Sequence, residues 1–154
     1  MRRSSIGIVL AAGLAGAGAA ALAQNEGRVV MFRGPDEIKW VPGGGAAWPG
    51  EEMAVLAGDP NGEGGWTIRL KSPPGAEVAP HFHPMTENVT VLSGDFHLGI
   101  GDTLDKTKGT EFGPGGFFSA PPGVHLYGWT DHGVILQVHS DKPIGRTLIT
   151  HPHG

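Results

Sequence analysis

The sequence contains no cysteine. That excludes disulfide staples, thiolate ligands and thiol nucleophiles. Stability must come from a hydrophobic core, and any metal site must use imidazole, carboxylate or carbonyl donors. Helix signal is missing as well: no window repeats apolar residues at helical spacing for three turns, and good helix formers never cluster. Basic runs are also absent. Lys and Arg number 11 against 15 Asp and Glu, a net charge of −4. Such a surface is poorly suited to neutralising phosphates, which argues against nucleic acid and against an anionic membrane surface as partners.

What is present begins with a three-part leader. Arg2 and Arg3 precede an apolar, small-residue stretch, Ile6 to Leu22, and "ALAQ" at 21–24 matches a small-x-small cleavage site with the cut after Ala23. The stretch is at the short edge of what spans a bilayer, so a removed signal (residues 1–23) is the expectation and a retained tether the alternative. The implied location is periplasmic or secreted, with no membrane contact once the leader is gone. Cleavage takes two arginines and no acids, leaving 9 basic residues against 15 acidic ones and moving the net charge from −4 to −6.

The remainder is punctuated by turns, with 27 Gly and 13 Pro in the whole chain. Short apolar or alternating runs between them predict strands at 53–57, 66–71, 78–83, 88–92, 96–100, 116–120, 126–130 and 134–139, with a last one at 146–150. Many short strands with frequent turns imply an all-β sandwich or barrel, here a single domain over 51–154. Residues 24–50 read as an N-terminal arm. Trp40 and Trp48 within it are poor residues to leave in water and are expected to pack over the barrel or into a dimer contact.

One stretch concentrates chemistry: "HFHPMTENVTVLSG", residues 81–94. Alternation along a strand puts His81 and His83 on one face and Phe82 on the other. Pro84-Met85-Thr86 makes a turn, from which Glu87 can return a carboxylate to the same point. Two imidazoles and a carboxylate within seven residues, in a chain without thiols, suit a divalent transition ion such as Fe, Mn, Ni or Zn.

Gly75-x5-His81-x-His83-x3-Glu87-x6-Gly94 resembles the first motif of the cupin superfamily residue for residue. Gly115-x5-Pro121-Pro122-Gly123 resembles the start of the second. The resemblance covers roughly 53–145 and is nearest to small single-domain cupins of exported bacterial proteins, with their "HLGIGD" and "QVH" context. It implies a cupin-type double-stranded β-helix, that is, a jelly-roll barrel. It also implies a metal held by His81, His83, Glu87 and a third histidine. The second motif wants that histidine at position 126, which is Leu126; His125 arrives one residue early. Either a bulge near Gly123 aims His125 into the site, or strict alternation turns it away. In the second case His139, which shares a strand face with Ile135 and Gln137, is the best substitute. Tyr127, Trp129 and Gln137 are pocket candidates, and Tyr127 and Trp129 go in or out together with His125.

Two functions follow from the resemblance. One is a metal-dependent enzyme of the dioxygenase kind acting on a small organic substrate. The other is a barrel that binds or senses a metal or small ligand without turnover. No catalytic acid or base stands out in the sequence. Barrels of this kind leave edge strands, so a homodimer is compatible with the pattern.

Overall fold

A computed structural model of the protein describes residues 29–43, 45 and 48–150. The expected leader, and His151 and His153, lie outside them. The described residues contain one short 3-10 turn, Pro35–Glu37, and eleven strands. These are β1 (Val41–Pro42), β2 (Glu52–Ala57), β3 (Trp66–Ser72), β4 (Glu77–Phe82), β5 (Glu87–Gly94), β6 (Phe96–Ile100), β7 (Thr110–Phe112), β8 (Phe117–Ala120), β9 (Leu126–Trp129), β10 (Val134–Ser140) and β11 (Thr147–Leu148). They form two antiparallel sheets, ordered β1-β2-β3-β10-β5-β8 and β11-β4-β9-β6-β7.

The predicted strands correspond to nine of these within a residue or two, the usual uncertainty of strand ends. The two unpredicted ones, β1 and β7, are two and three residues long, too short to show a period. Alternation decides which residues enter the core. Met53 and Val55 of β2, Trp66, Ile68 and Leu70 of β3, Val89 and Val91 of β5, and Val134, Leu136 and Val138 of β10 meet between the sheets. From the other sheet come Val78, Phe96 and Leu98. Each fully buried aliphatic side chain of this kind contributes about 1.5–3 kcal/mol.

Gly94 closes β5 with φ +78, a conformation other residues resist. A Cβ there would also collide with the Gly133 carbonyl, because the β5–β6 turn runs against the β9–β10 turn. Both arm tryptophans pack on their own chain. Trp48 joins the main core, its ring 6.4 Å from that of Phe96. Trp40 lies against a smaller cluster of Ile38, Ala54 and Leu56, with the Lys71 ammonium 4.7 Å from its ring centroid.

Candidate metal centre

β4 carries two histidines toward the interior, and does so through an irregularity. Val78 and His81 are both buried although three residues apart, which unbroken alternation forbids. The pairing of β4 with β9 shifts register between them. The slip spans Pro80, which has no N–H to give to the ladder. After the slip His81 and His83 point inward, 7% and 8% exposed. Phe82 points out.

The ring nitrogens are committed in a specific way. His81 Nδ1 lies 2.8 Å from the Ala79 carbonyl and His83 Nδ1 lies 2.5 Å from the Gly145 carbonyl. A carbonyl only accepts, so each Nδ1 carries the proton and donates it. His81, kept neutral by its burial, then presents a bare Nε2, which lies 3.1 Å from His83 Nε2. Two ring nitrogens that close need a positive centre between them, either a shared proton or a metal ion. Burial first, then the neighbouring His83 charge, pulls His81 down to about 3; the Ala79 carbonyl opposes this and Arg146 adds to it. His81 is therefore a neutral imidazole. Glu87, at the start of β5, brings Oε2 to 3.6 Å from His83 Nε2.

These residues fit a metal ion. Metal–nitrogen bonds of about 2.1 Å at tetrahedral or octahedral angles separate two nitrogens by ~3.0–3.4 Å. Ligating histidines ordinarily donate their other N–H to a carbonyl or carboxylate, as both do here.

The third imidazole is not beside them. His125 lies on the outside, its Nδ1 2.5 Å from Asp102 Oδ1 and its ring stacked on Phe82 at 5.2 Å. No bulge near Gly123 rescues it, because the slip falls in β4 instead. Leu126 pairs with His81 across the β4–β9 ladder and is 3% exposed, so an apolar side chain occupies the inward position where the cupin pattern has histidine. Tyr127 and Trp129 keep company with His125, as alternation requires. The Tyr127 hydroxyl donates to the Asp105 carbonyl, and Trp129 stacks on His97 at 4.7 Å. Both are buried under the 101–109 segment rather than in the barrel. Gln137 and His139 also face outward, opposite Val134, Leu136 and Val138: Gln137 accepts from Arg69 Nε at 3.1 Å and His139 is exposed. None of these pocket candidates lines the interior.

The outer face has its own cluster. Asp95, His97 and Asp131 each offer a ligand atom within 4.8 Å of the others, an arrangement that could hold a metal ion. His97 Nε2 is 3.4 Å from Asp95 and 3.2 Å from Asp131. Asp95 also accepts the Asp131 and His132 amides and the His132 ring, so it caps the turn between β9 and β10.

Glu51 was not a candidate on sequence grounds, although alternation from Met53 and Val55 places it on the inward side of its strand. It is 5% exposed, and its Oε2 has no hydrogen-bond partner among the described residues. Burial pushes its carboxyl up to about 7; Arg146 opposes the rise and the Glu87 charge adds to it.

A cavity of about 520 Å³ lies beside Leu126, lined also by Leu98, Ile100, Phe112, Phe118 and Val124, with Lys108, Thr110 and Ser119 as its polar members. A second hollow, about 570 Å³, runs along Pro49, Pro73, Pro74 and Pro80; its one ionisable residue, Glu77, is paired with Lys106 at 2.6 Å. It holds no histidine and none of the candidate ligands named above.

The fold is similar to that of the polyketide cyclase RemF from Streptomyces resistomycificus (16% identity, TM-score 0.65, 81% of this chain and 89% of that one). It is also similar to a putative acetylacetone dioxygenase from Methylibium petroleiphilum (18%, 0.59, 80% and 85%). An RmlC-like cupin from Shewanella frigidimarina gives a third likeness (20%, 0.58, 74% and 92%). No curated protein matches the sequence. The sequence itself matches the ChrR cupin-like domain over residues 29–139, most of the chain. With the two-sheet barrel and the inward His81 and His83, this makes the chain a cupin of the ChrR cupin-like family.

Proposed function

We propose that the protein is an exported metal-binding cupin. It holds a divalent transition ion on His81, His83 and Glu87 and admits a small, largely apolar organic molecule to the cavity beside Leu126. The observation that carries this reading is the pair of Nε2 atoms 3.1 Å apart, each on a ring whose Nδ1–H is committed to a carbonyl. Export rests on the leader pattern at 1–23. When bound there, the ion supplies Lewis acidity toward an oxygen donor at its open positions. The chain's own part is to keep His81 neutral, to orient both imidazoles, and to offer beside Leu126 a cavity lined by Leu98, Phe112 and Phe118, which favour apolar substituents.

Enzymatic turnover draws on the two neighbours named as a cyclase and as a putative dioxygenase. Binding or sensing without turnover draws on Leu126, which removes an imidazole from the donor set while leaving the barrel intact. Metal analysis of untagged mature protein tests the shared part, with about one ion per chain expected. A chain that takes up no Fe(II), Mn(II), Ni(II) or Zn(II) on reconstitution refutes it. Incubating the loaded protein with small diketones and aromatic acids then separates the two: consumed substrate marks an enzyme, recovered ligand a binder.

A further inference from the structure

β9 presents Leu126 where a third imidazole would complete the donor set. We infer that Glu51 completes it instead, as a carboxylate ligand of the ion held by His81, His83 and Glu87. This rests on the metal centre proposed above.

Several independent observations converge on Glu51. Its place two residues before Met53 and four before Val55 turns it toward the interior, since both of those pack in the main core. Glu52, next to it, points out and pairs with Lys71 at 2.5 Å. The chain entering β2 is pinned on both sides: the Glu51 amide donates to the Trp48 carbonyl, and the Glu51 carbonyl accepts from the Gly43 amide at 2.8 Å. Gly43 also leaves room for the carboxylate, because a Cβ there would come within 3.1 Å of Oε1. The side chain is 95% buried with Oε2 unpartnered, which costs free energy unless something positive meets it. Its electrostatic neighbours are those of the metal centre. Glu51 feels Glu87, whose Oε2 is 3.6 Å from His83, and it feels Arg146, which also acts on His81.

A buried and a half-buried carboxylate that repel one another, beside two imidazole Nε2 atoms 3.1 Å apart, are brought into balance by one divalent cation. Two carboxylates also neutralise a 2+ ion, whereas a three-histidine, one-glutamate set leaves it charged. Replacing one imidazole by an oxygen donor makes the site harder, so Mn(II) and Fe(II) should compete better against Zn(II) and Cu(II) than in a three-imidazole site.

Chelator-competition titration of the apo mature chain with Mn(II) and Zn(II) tests this, using wild type, Glu51→Gln and His81→Ala. Glu51→Gln should bind at least ~100-fold more weakly, more than loss of a ligand-supporting hydrogen bond ordinarily costs. The Co(II) absorption bands should change, and the melting temperature of the apo variant should stay close to that of the wild type, since Gln keeps the shape of the carboxyl group. Adding Leu126→His to Glu51→Gln should restore affinity. Wild-type affinity and an unchanged Co(II) spectrum in Glu51→Gln, with metal lost in His81→Ala, overturn the inference and leave the metal centre standing. Wild-type affinity in His81→Ala sinks both. A readout needing no Glu51 variant is the metal-minus-apo infrared difference of Glu87→Gln. One carboxylate band should still shift on Mn(II) binding, and its absence overturns the role given to Glu51.

Discussion

The barrel carries histidines beside acids on two faces, and the two sets are built differently. On the inner face, His81 and His83 give their Nδ1 protons to the Ala79 and Gly145 carbonyls and turn their Nε2 atoms toward each other. On the outer face, His97, His125 and His132 each meet a carboxylate: Asp95 and Asp131, Asp102, and Asp95 respectively. A carboxylate invites the proton that a carbonyl-tethered ring has already placed elsewhere. The outer imidazoles already have carboxylate partners, whereas the inner Nε2 atoms stand at the spacing of two ligands on one ion. Partner chemistry and burial, more than residue type, separate a candidate metal ligand from a surface ion pair.

The sharpest way to break the comparison is to remove one imidazole from each face. His81→Ala should weaken Zn(II) or Mn(II) binding by at least ~100-fold, while His97→Ala leaves the affinity within about twofold, because Asp95 is already occupied by the Asp131 and His132 amides. Elemental analysis after dialysis reads both, and metal lost in His97→Ala but kept in His81→Ala would reverse the assignment of faces. Next in size is Gly99→Ala. Its Cβ would run into the Tyr127 ring on the outer face, so thermal or urea melts should show a loss of about 1–3 kcal/mol with metal affinity unchanged.

A smaller effect is expected at acid pH. Burial works against the Asp95 charge, yet the Asp131 and His132 amides and the His132 ring outweigh it and hold Asp95 below its ordinary 3.8. The unfolded chain therefore takes up this proton first as pH falls. The stabilisation is complete above about 3.8 and is lost as pH drops through the lower folded value. The stability difference between wild type and Asp95→Asn should shrink over that acid range, and a difference that stays flat with pH would show that the charge contributes nothing. Smallest is His125→Ala. The imidazole and Asp102 are both substantially solvated, so stability should change by no more than about 1 kcal/mol and metal content not at all.

Much of this was legible in the residues. Strand alternation told apart the faces of His81 and Phe82, and it tied His125, Tyr127 and Trp129 to a common side. Which side that was depended on where the chain slipped by one residue, and Gly123 invited the wrong location. The slip spans Pro80, whose missing N–H breaks the ladder locally. Glu51 was hidden for another reason: nothing near it in the sequence carries chemistry, and its backbone partners are Gly43 and Trp48 of the arm, not the histidines. The inward positions of Met53 and Val55 were the available signal. Gln137 and His139 read as pocket residues only because the face they share was unassigned until β10 was seen between β3 and β5.

By itself the sequence determined the all-β class, the turn positions and the local His81–His83–Glu87 spacing, because hydrophobic period, Gly and Pro conformations and a short ligand motif all act over a few residues. Tertiary structure alone decided the rest. It committed the His83 Nδ1 proton to the Gly145 carbonyl, set Leu126 beside His81 and so turned His125 outward, and buried Glu51. Those outcomes depend on register between strands and on segments more than thirty residues apart, where one slipped residue exchanges the two faces of a strand.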